Sequence, residues 1–297
     1  MRRSVGCWLL GLCFVASSAL AQEAVPVKIH DLGNGLAMLV GSGGNIGVSK
    51  GPDGVLLVDD QFAQMVPEIR KAIRRLGAER VRFVLNTHWH GDHVGGNEAL
   101  ASTGAVIVAH ENVRARMSTD QWNSLRQATT KASKPKALPI VTYADGIRFH
   151  LNGHTIDVIH VDPAHTDGDS IVVFREDDVV HLGDTYFNGL YPYIDVPSGG
   201  SIDGMIAAAD RALEIVTAKT RIIPGHGPLS NRSELETYRA MLVGVRDAVR
   251  EGVLAGRSAD AVVASRPSAA FDEKWGGGFL SPESFVRIVY TSLAPRE

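Results

Sequence analysis

Three histidines and one aspartate occur within six residues, in the run His88-Trp89-His90-Gly91-Asp92-His93. The run directly follows the apolar residues 81–85, which are typical of a buried strand. In extended backbone, side chains two residues apart point to the same side, so His88 and His90 can bind one cation. Asp92 and His93 follow on a turn, where they can face a second cation. Crowded imidazoles gain little without a metal, so the run predicts a metal site.

Three later residues share one local setting, a glycine-containing loop after a predicted strand. His165 lies in the loop 163–169, Asp184 follows the predicted strand 179–182, and His226 follows the predicted strand 221–223. Loops at strand ends can turn their side chains toward a common rim. Beside the six-residue run, these three residues are therefore candidate ligands.

Alternating and amphipathic patterns predict the elements that position these residues. Short β-rich runs separated by glycine-rich turns favour hairpins at the start of the chain, and spacing of three and four favours helices later on. The predicted strands are 36–40, 46–49, 55–59, 81–85, 105–109, 147–151, 154–160, 170–174, 179–182 and 221–223. The predicted helices are 63–76, 97–101, 202–217, 233–254 and 281–293. Residues 111–137 are predicted to be a polar surface insertion that is helical at its start.

The N-terminal residues have the pattern of a secretory signal peptide. Arg2 and Arg3 precede the apolar residues 5–15, and Ala19-Leu20-Ala21 is a small-residue cleavage site. We expect cleavage after Ala21, a periplasmic or secreted protein, and one domain over residues 22–297. The apolar stretch is too short for a permanent membrane anchor, although an uncleaved anchor stays an alternative.

Cysteine content and charge narrow the chemistry further. Cys7 and Cys13 are the only cysteines and both precede the predicted cleavage site, so nitrogen and oxygen must hold any metal. The chain has 30 basic and 33 acidic residues, and loss of Arg2 and Arg3 makes it more acidic still. Without a basic run, nucleic acid is not expected as a partner. Oligomeric state is left open.

In these motifs the chain resembles the metallo-β-lactamase-fold hydrolase superfamily. The six-residue run matches the family's HxHxDH signature, and His165, Asp184 and His226 match its later ligands in order. The resemblance covers nearly all of residues 22–297. It implies an α/β fold, the four-layer αββα sandwich, with the site along one edge of two sheets.

The resemblance also implies a role for each ligand. One zinc would be bound by His88, His90 and His165, the second by Asp92, His93 and His226, and Asp184 would bridge them. A hydroxide shared by the two ions would be the nucleophile, and Asp92 would orient it and help to protonate the leaving group. Because no thiolate is available, iron or manganese stays open beside zinc.

Other residues near the motifs are candidates with weaker support. Trp89, Tyr186, Asn188 and Tyr191 are candidate pocket residues, although core packing is an alternative for each aromatic. Asp59 ends a predicted strand and either bonds a ligand histidine or caps the strand. Six further histidines match no ligand position and are expected to be structural or exposed: His30, His110, His150, His154, His160 and His181.

The bridging carboxylate narrows the expected substrate. The resemblance implies that typical β-lactamases carry Cys or Ser where this chain has Asp184, and that glyoxalase II-like enzymes and lactonases carry the carboxylate. We therefore expect hydrolysis of a small ester, lactone or amide-like carbonyl compound. β-Lactamase activity, small-substrate phosphodiesterase activity, a mononuclear iron persulfide dioxygenase, and a periplasmic metal-binding or redox-relay partner are alternatives. Specificity is expected in the loops 41–44, 111–137 and 187–200.

Overall fold

The computed structural model describes residues 25–123 and 127–295. The predicted signal peptide, with both cysteines, lies outside these residues. Among the described helices, none combines the length and apolar character needed to cross a membrane.

The described chain contains fourteen strands and nine α-helices. The strands are β1 (Lys28–Gly33), β2 (Leu36–Val40), β3 (Ile46–Gly51), β4 (Gly54–Val58), β5 (Val81–Asn86), β6 (Val106–His110), β7 (Gln121–Asn123), β8 (Ala128–Thr130), β9 (Val141–Tyr143), β10 (Gly146–Leu151), β11 (His154–His160), β12 (Ser170–Phe174), β13 (Val179–His181) and β14 (Arg221–Ile223). The helices are α1 (Val66–Arg75), α2 (Gly91–Val94), α3 (Asn97–Ala101), α4 (Glu111–Met117), α5 (Ile202–Ile215), α6 (Arg232–Leu254), α7 (Ala259–Ala264), α8 (Asp272–Trp275) and α9 (Pro282–Leu293).

Two large sheets carry the motifs. The first has the order β1-β2-β3-β4-β5-β6-β9, antiparallel up to β4 and parallel from β4 onward. The second has the order β10-β11-β12-β13-β14, with a parallel pairing only between β13 and β14. Strands β7 and β8 form a separate hairpin.

Three apolar clusters define four layers. One cluster lies between the sheets and joins side chains of β4 and β5 to side chains of β11, β12 and β14. A second cluster packs α1 and α3 on the outer face of the first sheet. The third and largest packs α5, α6 and α9 on the outer face of the second sheet. This αββα arrangement confirms the predicted fold.

Several predicted elements differ in detail. The predicted helix 63–76 begins as a 3-10 turn and becomes α-helical only at α1, where Pro67 occupies the first turn and needs no N–H partner there. The segment 111–137 is not wholly a surface insertion, because Val113 and Met117 of α4 are buried against Trp89. The short elements β9, α7 and α8 carry too little periodicity to be predicted.

Candidate metal centre

The predicted ligands meet at one edge of the two sheets. The six-residue run follows β5 in the first sheet. His165 lies between β11 and β12, Asp184 follows β13, and His226 follows β14, all in the second sheet. Both sheets thus contribute ligands at their shared rim, as strand-end placement predicted.

The first cluster contains four buried ligands. One ligand atom from each of His88, His90, His165 and Asp184 lies within 4.8 Å of all the others. His90 Nδ1 lies 2.8 Å from His165 Nε2, and Asp184 Oδ2 lies 3.5 Å from that same nitrogen. These distances allow three imidazoles and one carboxylate to bind one ion.

The second cluster contains Asp92, His93 and His226, again within 4.8 Å of one another. Nε2 of His226 lies 3.3 Å from Asp92 Oδ2 and 3.4 Å from His93 Nε2. The side chains of Asp92 and His226 are 25% and 21% exposed, whereas His93 is fully buried. Solvent therefore reaches the centre from the side of Asp92 and His226.

Asp184 lies between the two clusters. Its Oδ1 is 3.1 Å from His93 Nε2 in the second cluster. Its Oδ2 lies between the clusters, 3.5 Å from His165 Nε2 in the first and 3.4 Å from His226 Nε2 in the second. The carboxylate can therefore offer one oxygen to each of two ions.

Two buried atoms test whether the site fits metal ions. His88 Nε2 and Asp184 Oδ1 are inaccessible to solvent and have no hydrogen-bond partner among the described residues, although Asp184 Oδ1 lies within ion-pair distance of His93 Nε2. Burial lowers the pKa of His88 well below its usual value and that of His165 to about 4, so both imidazoles are neutral near pH 7. Neutral imidazole is the form that binds metal, and unpartnered buried acceptors are costly without one. The donors in both clusters fit divalent metal ions.

Opposite charges stabilise the second cluster when no metal is bound. Burial opposes the charged form of His226, but Asp184 and Asp92 outweigh it and raise its pKa to about 9. Burial likewise opposes ionisation of Asp184, yet the imidazoles of His93 and His226 hold its pKa well below its usual range. In the metal-free protein these groups form an ion cluster at neutral pH.

Asp59 orients one ligand in each cluster. Its Oδ2 accepts from His93 Nδ1 at 2.8 Å and from the hydroxyl of Thr87, also at 2.8 Å. Thr87 Oγ1 in turn lies 3.1 Å from His88 Nδ1. Of the two interpretations of Asp59, the structure confirms the bond to a ligand histidine.

Asp195 is a contributor that the sequence did not indicate. Its fully buried carboxylate accepts from His90 Nε2 at 2.9 Å, leaving Nδ1 directed at the first cluster. Two residues earlier, the carbonyl of Tyr193 accepts from His165 Nδ1 at 2.7 Å. The segment 193–195 thus fixes the orientation of two ligands of the first cluster. Its residues match no ligand motif, although they lie in the loop 187–200 that the sequence predicted to determine specificity.

A third buried carboxylate shapes the loop that carries His165. Asp169 accepts from the backbone N–H groups of His165 and Thr166 and from the Thr166 hydroxyl. Burial outweighs these bonds and raises the pKa of Asp169 to about 7. This turn holds the His165 backbone in place beneath its imidazole.

Two glycines leave room for ligand side chains. A Cβ on Gly44 would lie 2.1 Å from the ring of His93, and a Cβ on Gly225 would lie 2.0 Å from Asp184 Oδ1. Asn45 ties the two glycine loops together, since its amide donates to the carbonyls of Pro224 and Gly227. The loop 41–44, predicted to determine specificity, therefore also supports a ligand.

The four predicted pocket residues are buried. The polar side-chain groups of Tyr186, Tyr191 and Asn188 bond to residues other than the metal ligands. The hydroxyls of Tyr186 and Tyr191 are bonded to Ser230 and Asp272. The amide of Asn188 donates to Pro228 and Glu234, and Trp89 packs in the apolar cluster with α4. The bonds of Tyr186 and Tyr191 match the core-packing alternative, whereas Trp89 lies 4.6 Å from the ring of His90 and lines a cavity. The pocket role of the four residues stays a prediction.

The six remaining histidines lie outside both clusters, as predicted. His154 pairs with Asp177, His181 lies 3.1 Å from the carbonyl of Asn45, and His160 stacks on His110. His30 and His150 are exposed on strands.

Comparison with known proteins identifies the family. The family model described as the metallo-beta-lactamase superfamily matches residues 39–226, which contain every candidate ligand. The chain therefore belongs to the metallo-beta-lactamase superfamily, and it is a metal-dependent hydrolase.

Curated relatives are named hydroxyacylglutathione hydrolase. The protein of that name from Methylococcus capsulatus is 29% identical over 208 residues, covering 69% of this chain and 70% of the relative. One from Nitrosococcus oceani is 27% identical over 153 residues, which is 51% of each chain.

Solved structures share the fold at lower identity. A metallo-beta-lactamase from Pontibacter korlensis superposes with a TM-score of 0.61 and 17% identity, covering 73% of this chain and 99% of its own. A stereoselective inverting sec-alkylsulfatase from a Pseudomonas species gives a TM-score of 0.67 and 15% identity, covering 89% of this chain and 50% of its own. At these identities the likeness supports the fold alone.

Proposed function

We propose that this protein is an exported hydrolase that uses two zinc ions per chain to cleave small ester, lactone or amide-like carbonyl compounds. The observation that supports it most strongly is the place of Asp184, whose carboxylate lies within 4 Å of ligand nitrogens of both clusters. Asp184 completes the ligands of the first cluster and also reaches both imidazoles of the second. A shared carboxylate of this kind fixes the separation of a pair of ions.

The residues of the second cluster supply the proton transfers. Burial opposes ionisation of Asp92, but His93 and the hydrogen bond from His226 hold its pKa well below its usual range. Asp92 is therefore ionised at neutral pH and partly open to solvent, where it can accept a proton from an attacking water and return it to the leaving group. When bound, two divalent ions lower the pKa of water and polarise a carbonyl.

Export is part of the proposal and rests on the N-terminal pattern alone. Arg2 and Arg3, the apolar residues 5–15 and Ala19-Leu20-Ala21 follow the order of a secretory signal. The chain that remains has no cysteine, which agrees with a ligand set of imidazoles and carboxylates only. N-terminal sequencing of the exported protein should begin at Gln22.

A second candidate substrate is a hydroxyacyl thioester. It is favoured by the curated relatives, which are named hydroxyacylglutathione hydrolase. We rank it second because the proposed export removes the enzyme from the reducing compartment in which glutathione is concentrated.

β-Lactam cleavage, iron-dependent oxidation and a role without turnover have less support. Asp184 stands where β-lactamases are expected to carry Cys or Ser, which weighs against β-lactam cleavage. A single iron bound in the first cluster would leave Asp92, His93 and His226 without a metal, although their ligand atoms lie within 4.8 Å of one another. Membership of a hydrolase family weighs against a metal-binding or redox-relay partner without turnover.

Metal analysis combined with a substrate panel tests the proposal. Purified protein should contain two zinc ions per chain and should hydrolyse members of an ester, lactone, thioester and β-lactam panel. Asp184→Asn should lose the second ion, and Asp92→Ala should lose turnover while the fold survives. A single iron per chain, or full activity of Asp92→Ala, would contradict the proposal.

A further inference from the structure

One large apolar side chain is exposed beside the metal centre. Phe279 is 54% exposed, and its ring lies 6.3 Å from the ring of the ligand His226, measured between centroids. A singly exposed apolar side chain is ordinary on a protein surface. This one differs because it stands on the side from which solvent reaches the centre.

The loop that carries Phe279 is anchored on both sides. Trp275 and Leu280 are each 2% exposed, and the Trp275 carbonyl accepts from the backbone N–H of Tyr191 at 2.9 Å. Between these anchors run Gly276, Gly277 and Gly278, and Gly278 packs so closely on Leu190 that a Cβ would approach its Cδ2 to 2.7 Å. The anchors hold Phe279 at the surface, so its exposure follows from the path of the loop.

Phe279 is the outer member of a row of rings that runs through Phe187 to the ligand His226. Its ring lies 6.1 Å from that of Phe187. Phe187 stacks on His226 at 5.1 Å with an angle of 16° and lies 6.1 Å from His165. Phe187 is itself only 1% exposed, so Phe279 is the part of the row that an incoming molecule can contact.

We infer that Phe279 is a specificity-determining residue that binds an aromatic or alkyl group of the substrate next to the reacting carbonyl. The inference rests on the proposed hydrolase function and narrows its substrates to esters, lactones or amide-like carbonyl compounds that carry such a group. Contact between this substrate group and the Phe279 ring removes apolar surface of both from water, which favours binding. A ring also favours edge or offset contacts with other aromatic groups, so benzyl and phenyl substituents are suitable probes.

Two readouts test the inference, one of them independent of turnover. The first is kcat/KM of the metal-loaded protein for methyl acetate, benzyl acetate and methyl phenylacetate, where the two aromatic esters place the ring on opposite sides of the carbonyl. Phe279→Ala should reduce kcat/KM about tenfold for at least one aromatic ester, mainly through KM, and leave methyl acetate within about twofold. Phe279→Leu should recover most of the loss.

The second readout is the affinity for phenylacetate relative to acetate, two product-like carboxylates, measured by calorimetry. The wild-type protein should prefer phenylacetate, and Phe279→Ala should reduce this preference about tenfold. Leu254→Ala is the matched control, because Leu254 is 81% exposed at the end of α6 and should change neither readout. Metal content is measured for every variant and should stay constant.

The outcomes separate this inference from the proposed function. If the wild-type protein cleaves none of the esters yet Phe279→Ala loses the phenylacetate preference, the aromatic site stands and the proposed reaction fails. If the esters are cleaved and Phe279→Ala keeps the wild-type preference in both readouts, the role of Phe279 is wrong while the hydrolase function stands.

Discussion

Orientation of the imidazoles depends on two carboxylates that bind no metal themselves. Asp59 reaches one ligand of each cluster, directly at His93 and through Thr87 at His88. Asp195 fixes His90 by accepting from the ring nitrogen opposite the ligand atom. A bond of this kind selects the tautomer and increases the basicity of the ligand nitrogen.

Removal of the Asp195 charge should weaken the first metal site selectively. In Asp195→Asn we expect the affinity of that site for zinc to fall about 10–100-fold, because His90 loses its charged acceptor. Chelator competition measures the change. Asp203→Asn, which alters an exposed carboxylate on α5 paired with Arg250, is the control and should bind zinc as the wild type does. Equal affinity in Asp195→Asn and wild type would refute the positioning role.

A methyl group at residue 44 should displace a ligand. In Gly44→Ala the new Cβ falls within 2.1 Å of the His93 ring, so His93 must move or the loop must open. We expect loss of the second metal and a decrease of roughly 1–3 kcal/mol in the free energy of unfolding. Zinc content and denaturant unfolding measure the two effects. Gly277→Ala, where a Cβ meets nothing within 4 Å, should retain both ions.

Local sequence predicted the ligands and offered Asp59 as a partner for one of them, but it did not indicate Asp195. Each ligand has a signature within a few residues, a histidine or aspartate on a loop after a strand. Asp195 lies 105 residues from His90, and only the folded chain brings them together. The proposed role of Phe279 likewise depends on its short distance to His226, which only the folded chain creates.

At the scale of elements, regular patterns located most strands and long helices, while polar segments were harder to predict. The predicted helix 97–101 matches α3, and the predicted strand 170–174 matches β12. The polar composition of the segment 111–137 predicts an insertion. Helix α4 nevertheless buries Val113 and Met117, because two apolar residues four apart suffice to pack one face of a short helix.

Helix α4 also supports the loop that carries His165. Arg116 on α4 donates to both carboxylate oxygens of Asp167, at 3.2 and 2.7 Å, and Asn112 donates to the carbonyl of the same residue. The Arg116 and Asp167 side chains are 25% and 23% exposed, so water only partly screens the pair. A bidentate pair of this kind restricts the loop more than a single hydrogen bond does.

Loss of that pair should loosen the loop. In Arg116→Met we expect a decrease of about 1 kcal/mol in the free energy of unfolding and faster amide exchange in the loop 163–169. Arg211→Met is the matched control, because Arg211 forms an exposed pair with Glu214 within α5 and should change stability by only a few tenths of a kcal/mol. Unchanged exchange in the loop of Arg116→Met would argue against the support.

At the scale of the molecule, the centre joins the two sheets. The first sheet contributes the run after β5, and the second contributes His165, Asp184 and His226. Metal binding should therefore stabilise the whole sandwich, because ions bind only the folded arrangement. Without metal, the charges of the ligand side chains decide how the stability of the protein changes with pH.

The metal-free protein should lose stability as pH rises above 7. The folded-state pKa of His226 is raised to about 9, so its proton stabilises the fold below pH 6.5 and this contribution is lost as pH rises through 9. Below pH 6.5 two buried groups act in opposite directions, because the pKa of His165 is lowered to about 4 and that of Asp169 is raised to about 7. The test is therefore made above pH 7, where the loss from His226 should be about 2 kcal/mol between pH 7 and pH 9. Urea unfolding of chelator-treated protein at several pH values measures the profile, and unchanged stability from pH 7 to 9 would contradict it.

The two sites should also fill at different pH. His88 and His165 are already neutral at pH 6, so protons do not compete for them. His93 and His226 have raised pKa values and must each release a proton before they bind a metal. Zinc should therefore occupy the first cluster at pH 6. Affinity at the second should rise with pH, by up to about 100-fold per pH unit while both imidazoles are protonated, because two protons are then displaced. Calorimetry in buffers of different ionisation enthalpy should detect about two protons released with the second ion near pH 7.5, and few with the first. If binding of each ion released the same number of protons, the charges of the ligands in the metal-free protein would not control metal binding.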